Sequence, residues 1–246
     1  MMHLLQIENL TKRFGGLIAV NNVSFHIDEG EMVGIIGPNG AGKTTLFNLI
    51  SGFLNPDSGT VKFKGGNIIG LATHKIVNNG IARTFQVVRP FRHLPVIANV
   101  MVALKSPRGA RKIEWIKTFE RKAVDMLEDV GLTELMLEPA ENVGHGDLKR
   151  LEMARALATE PDLLMLDEPF GGLNPLETDF LMKSIQRVHL DHPTRGIIIV
   201  EHKLYALMQI VQRVIVLHQG EKIAEGTPEE TAKNKKVIEV YMGKAM

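Results

Sequence analysis

The chain has 246 residues, 44% hydrophobic and 5% aromatic, with no cysteine. That length can bury a core for one large domain or two small ones without disulfides, and the missing thiols exclude thiolate catalysis, iron–sulfur clusters and Cys-ligated zinc. With 29 basic against 28 acidic side chains and a formal net charge of +1, there is no basic excess to drive phosphate-backbone binding, so nucleic acid is disfavoured as a partner.

The start, Met1-Met2-His3-Leu4-Leu5-Gln6-Ile7-Glu8, lacks the basic and long apolar regions of a secretory signal. No apolar run approaches the roughly 18 residues of a membrane span. An intracellular protein is expected. In chain order, Leu4 to Glu8, Val20 to Ile27 and Thr60 to Phe63 alternate, with turn signals at Asp28-Glu29-Gly30 and Asn55-Pro56-Asp57-Ser58-Gly59, which predicts antiparallel strands. Met32 to Ile36, Leu163 to Leu166, Ile197 to Val200 and Val214 to Leu217 are continuous apolar runs separated by helical segments. Such runs belong to parallel strands covered on both faces, and so to an α/β fold.

Between about Pro90 and Gly146 the strand-like runs disappear. In Ile113 to Val130 the residues Ile113, Ile116, Val124, Leu127 and Val130 share a helical stripe, and Gly131 is placed to end the helix. A helical subdomain at 90–158, inserted into a core of 1–89 and 159–246, is expected. Lys233 to Lys236 reads as a solvated turn.

Gly37-Pro38-Asn39-Gly40-Ala41-Gly42-Lys43-Thr44 matches the pattern G-x-x-x-x-G-K-[ST] between an apolar strand and a helical stretch, Thr44 to Ile50. The glycines let successive N–H groups curl toward phosphates, and the helix N-terminus adds its positive dipole end. Lys43 would reach the β- and γ-phosphates and the Thr44 hydroxyl would bind Mg²⁺. Four apolar residues then deliver two acids at Asp167-Glu168. Asp167 would hold Mg²⁺ and Glu168 would polarise the attacking water, a sufficient set where catalysis is positioning and charge neutralisation. The long separation of Lys43 from Asp167 leaves space for the inserted helices and points away from small GTPases.

These motifs, with four more, resemble the ATP-binding subunits of ABC transporters over essentially the whole chain. Phe14 in Lys12-Arg13-Phe14-Gly15 is similar to the family's adenine-stacking aromatic. The resemblance implies an ATP site of Phe14 with Gly37, Pro38, Asn39, Gly40, Ala41, Gly42, Lys43, Thr44 and Thr45. Gln86 in Arg83-Thr84-Phe85-Gln86 resembles the Q-loop glutamine, which binds Mg²⁺ and faces the permease. Gly171-Gly172-Leu173-Asn174-Pro175 resembles the D-loop, with Asn174, and His202 in Val200-Glu201-His202 the switch histidine that contacts the γ-phosphate. The implied catalytic set is Glu168, His202, Gln86 and Lys43; the implied Mg²⁺ set is Thr44, Gln86 and Asp167.

The signature motif departs from the family. Where Leu-Ser-Gly-Gly-Gln is common, this chain has Val143-Gly144-His145-Gly146-Asp147. In the family this motif reaches across a dimer interface to the γ-phosphate of the other subunit's ATP. Gly144 lacks the serine hydroxyl, and a hydrogen bond to a charged group lost there is worth about 1.5–3 kcal/mol. Asp147 brings a carboxylate where an amide is usual.

Arg13-Phe14-Gly15-Gly16-Leu17-Ile18-Ala19-Val20-Asn21-Asn22-Val23, Ile81-Ala82-Arg83-Thr84-Phe85-Gln86, Gly172-Leu173-Asn174-Pro175 and Val240-Tyr241-Met242-Gly243 resemble the subunit of branched-chain (hydrophobic) amino acid importers. Relatives in lipopolysaccharide export and urea uptake share much of this pattern, and non-transport ABC assembly or regulatory ATPases share the nucleotide site. The implied partners are a second ABC ATPase subunit, transmembrane permease subunits and, indirectly, a solute-binding protein. The implied location is the cytoplasmic side of the inner membrane. His189-x-x-His192 has ligand spacing, but His192 precedes Pro193 and no third ligand is apparent, so zinc is disfavoured.

Overall fold

The computed structural model describes residues 3–110 and 116–242. Strand β1 (Leu5–Phe14) turns back into β2 (Leu17–Ile27), and β3 (Met32–Ile36) runs through the Gly-rich loop into helix α1 (Lys43–Ile50). β4 (Ser58–Phe63) and β5 (Gly66–Asn67) complete an antiparallel sheet of order β2-β1-β4-β5. Helix α2 (Thr73–Asn79) leads to the short β6 (Ile81–Arg83). Helices α3 (Val96–Leu104), α4 (Pro107–Ala110), α5 (Ile116–Asp129) and α6 (His145–Leu157) follow. The chain then alternates through β7 (Leu163–Asp167), α7 (Pro175–Asp191), β8 (Gly196–Val200), α8 (Leu204–Met208) and β9 (Arg213–His218). It closes with β10 (Glu221–Gly226), α9 (Pro228–Lys233) and α10 (Lys235–Met242).

The second sheet has the order β10-β9-β3-β8-β7-β6, parallel except for β10 at its edge. Its central strands β3, β7 and β8 are buried along their whole length because both faces are covered, which is why they read as apolar runs. Val33, Ile35, Leu163, Met165, Ile198 and Val200 join α1 and the antiparallel sheet in one core. Their neighbours Met32, Ile36, Leu164, Leu166, Ile197 and Ile199 join α3, α5, α6 and α7 in the other. Leu163 to Leu166 are wholly buried, each contributing about 1.5–3 kcal/mol relative to exposure. Among the described residues no helix is long and apolar enough to cross a membrane.

Several expectations are refined. β1 and β2 run longer than Leu4 to Glu8 and Val20 to Ile27. β6 has only three residues and β10 is mostly polar, so neither shows as an apolar run. Ala123 and Leu127 of α5 are buried, as is Val130 just past its end, while Val124 is half-buried; Ile113 and the side chain of Ile116 lie outside what the structure describes. Gly131, at φ 66, follows as expected. The Lys233 to Lys236 stretch is not a plain turn: Asn234 alone separates α9 from α10, and its Oδ1 accepts the Lys236 N–H at 3.0 Å. Packing explains the difference, because Val237 is drawn into the core.

Candidate functional site

Four adjacent parallel strands, β3, β8, β7 and β6, end on one edge of the sheet, and each delivers a motif there: the Gly-rich loop, His202, Asp167-Glu168 and Gln86. Ligands of open parallel sheets bind at this carboxyl edge. A pocket of about 590 Å³ there is lined by Phe14, Asn39 to Thr45, Glu168 and His202.

Gly42 sits at φ 100 as the N-cap of α1, and a Cβ there would collide with the Ala19 carbonyl oxygen. This keeps the loop tight and directs the first-turn N–H groups of Lys43, Thr44 and Thr45, which have no intrahelical acceptor, outward. Lys43 Nζ donates to the carbonyls of Gly37 at 2.6 Å and Pro38 at 2.9 Å. Burial lowers its pKa, opposed by the carboxylates of Glu168 and Asp167. Gly37 and Pro38 do not line the pocket; they hold the lysine. Phe14 stands at the pocket's mouth, half-exposed with Lys12 Nζ 5.7 Å from its ring centroid, so that much of the ring is open to a planar base.

Glu168 is the hub of the polar groups. Its Oε1 accepts from His202 Nε2 and its Oε2 from Gln86 Nε2, both at 2.8 Å. The backbone of Glu168 lies at φ 48, and its N–H donates to Val200 O at 2.9 Å. A water beside Glu168 would have a general base and a histidine within one hydrogen bond, the arrangement for proton removal beside a phosphate.

Thr44, Gln86 and Asp167 line a neighbouring cavity of about 690 Å³. A hydroxyl, an amide oxygen and a carboxylate are hard oxygen ligands of the kind Mg²⁺ takes beside phosphates, so the donor set fits that ion. Asp167 Oδ2 is bonded at 2.7 Å to Arg83. Arg83 also reaches Asn48 Oδ1 at 2.7 Å and Ser51 Oγ at 3.0 Å, and it packs against the rings of Phe47, Phe53 and Phe85.

Gly144, His145, Gly146, Asp147 and Asn174 line neither cavity. Gly144 is the N-cap of α6 and has no side chain to bond. His145 Nε2 lies 3.4 Å from Gly171 O. Gly146 is buried, with the Glu177 carboxylate 2.7 Å from where a Cβ would stand. Asp147 is ion-paired with Arg150 one turn on, so its charge is engaged within its own helix. Asn174 caps α7: its Oδ1 accepts the Glu177 N–H at 3.0 Å while Glu177 Oε2 accepts the Asn174 N–H at 2.8 Å.

Sequence reasoning overlooked the residues that hold the loops. Lys149 Nζ donates to Gln86 O at 2.9 Å and Glu168 O at 3.3 Å. Buried Glu152 accepts the Phe85 N–H at 2.7 Å. The signal available was the charge itself, at Arg83 in a strand and at Lys149 and Glu152 on the buried side of α6. His189 Nε2 meets Gln212 Nε2 at 3.3 Å. Among the described residues the side chains close enough to share an ion are His3, His26 and Asp28.

A family model described as ABC transporter matches residues 20–171. A second, described as branched-chain amino acid ATP-binding cassette transporter, matches residues 221–246. The chain is 44% identical to the high-affinity branched-chain amino acid transport ATP-binding protein LivG of Salmonella typhimurium, with 98% of each covered. It is 40% identical, with the same coverage, to BraF of Pseudomonas aeruginosa, which carries the same description. Among solved structures, the ADP conformation of an ATP-binding cassette of an ABC transporter superposes with a TM-score of 0.87, at 31% identity over 99% of this chain and 100% of that one.

Proposed function

Because the chain belongs to the ABC transporter family of ATP-binding proteins, an ATPase that binds ATP, we propose that it powers uptake of branched-chain (hydrophobic) amino acids through permease subunits. The C-terminal match at residues 221–246 supports this solute class. In this reading the chain pairs with a second ABC ATPase subunit at the cytoplasmic side of the inner membrane, and a solute-binding protein supplies the permease. Residues 1–89 and 159–246 serve as the nucleotide-binding core and 90–158 as the helical subdomain.

Phe14 stacks on the base, the amides from Gly40 to Thr45 receive the phosphates, and Lys43 leaves its carbonyl partners to neutralise phosphate charge. Thr44, Gln86 and Asp167 would hold Mg²⁺, which would offset charge on the phosphate oxygens. Glu168 orients and deprotonates the attacking water, and His202 steadies that carboxylate and then the γ-phosphate. Gly144, His145, Gly146 and Asp147 face the partner's nucleotide through backbone N–H groups and the α6 dipole. Asn174 shapes the adjoining D-loop through its cap.

The observation that carries this reading is the Glu168 carboxylate held at 2.8 Å by both His202 and Gln86 beside the Gly-rich loop. Glu168→Gln keeps the shape and removes the base. We expect turnover to fall at least about 10²-fold while ATP binding is retained. Hydrolysis at the wild-type rate by this variant would remove Glu168 from the role. Co-purification of permease subunits from membranes tests the transport assignment, and recovery of soluble partners only would overturn it.

A further inference from the structure

Glu201 is almost wholly buried, at 1% exposure, yet it enters none of the roles above. The β7–β8 ladder ends at the pair Asp167↔Val200. Just past this point the chain carries Glu168 on one side and His202 on the other. The Glu201 carboxylate spans the two loops. Oε1 accepts the Phe170 N–H at 2.5 Å, and Oε2 accepts the N–H groups of His202 at 2.9 Å and Lys203 at 3.1 Å. Lys203 Nζ adds a second tie from the same loop to Leu173 O at 2.6 Å.

Three donors from two loops converge on one side chain, and only a carboxylate offers two oxygens that accept and never donate. Burial pushes the Glu201 carboxyl up, while the N–H groups of Lys203, Phe170 and His202 pull it down and the Glu168 charge raises it further. A buried acid so placed is costly, and its bonds go to the loops carrying the two groups whose 2.8 Å contact hydrolysis needs.

We propose that Glu201 is a positioning residue for ATP hydrolysis, fixing Glu168 and His202 in register by clamping the loop that follows β7 to the loop that follows β8. The inference rests on the assignment of Glu168 and His202 to hydrolysis. Displacing reacting groups by about 1 Å can cost about 10²-fold in rate, and the clamp's bonds go to neither the Gly-rich loop nor Phe14, so most of the nucleotide's contacts stay in place.

The test uses the full-length chain with Glu201→Gln, which preserves volume but presents an NH₂ to one of the two loops, donor against donor. Binding sites are counted with a fluorescent ATP analogue, and hydrolysis is measured per bound nucleotide. The expected result is a fall in turnover of at least about tenfold with KM for ATP within about twofold. In ¹⁵N spectra, the His202 ring should shift from one tautomer to a mixture. Turnover per bound nucleotide within threefold of wild type, or activity lost only in step with binding sites, would overturn the proposal. Glu168→Gln is run beside it. If that variant is inactive while Glu201→Gln is normal, the clamp fails and the hydrolytic assignment stands; if it turns over normally, both fall.

Discussion

Replacing Arg83 with Met tests how the acid at the end of β7 is kept in place. The Arg83 and Asp167 side chains are 6% and 4% exposed and 2.7 Å apart, so the substitution leaves a carboxylate out of water facing a thioether. It also frees Asn48 Oδ1 and Ser51 Oγ, both of which accept from the guanidinium. Breaking one partner of a buried pair costs about 3–5 kcal/mol, and for a chain of this size each kcal/mol shifts the unfolding midpoint by about 2–4 °C. The nucleotide-free Arg83→Met protein should therefore melt about 6–20 °C below wild type when followed by circular dichroism. Adding Asp167→Asn should recover much of the loss, because the stranded charge is gone. A midpoint for Arg83→Met within 2 °C of wild type, or a double variant as unstable as the sum of the singles, would refute the reasoning.

Phe14→Ala should weaken ATP binding about two- to tenfold, the value of an aromatic stack of about 0.5–1.5 kcal/mol, with Phe14→Trp restoring it; isothermal titration with equal affinities for all three would remove Phe14 from the site. For Glu152, burial raises the carboxyl's pKa above the ordinary glutamate value, against the Phe85 N–H. A raised acid pKa in the folded state contributes stability below the unfolded pKa and loses it as pH rises through the folded one. Wild type should therefore gain stability relative to Glu152→Gln as pH is lowered from 7 toward the ordinary glutamate range. Denaturant midpoints that diverge in the opposite sense would reject the assignment.

The motif-bearing residues were legible because they sit where a buried strand ends, and the strand itself announces them: Met32 to Ile36 before the Gly-rich loop, Leu163 to Leu166 before Asp167, Ile197 to Val200 before His202. Residues that hold these groups in place were not legible in the same way. Arg83 pairs with a residue 84 positions away, and Lys149 and Glu152 meet Gln86 and Phe85 only once α6 packs beside β6. Their value is a tertiary contact, and nothing local marks it. β6 and β10 escape notice for the opposite reason, since the ladder's hydrogen bonds form one from only three residues and the other from mostly polar ones. At Lys233 to Lys236, charge suggested a turn, but capping by Asn234 and burial of Val237 prevailed.

The left-handed backbone at Glu168, φ 48, places the proposed general base at a position whose geometry suits glycine or asparagine better. A glutamate there forfeits about 1–2 kcal/mol of intrinsic conformational preference. Selection for robustness alone would thus push this codon toward residues that cannot abstract a proton. Thermostable descendants of this chain obtained without a demand for turnover would be expected to surrender activity first at this position, and libraries built for stability should hold it invariant.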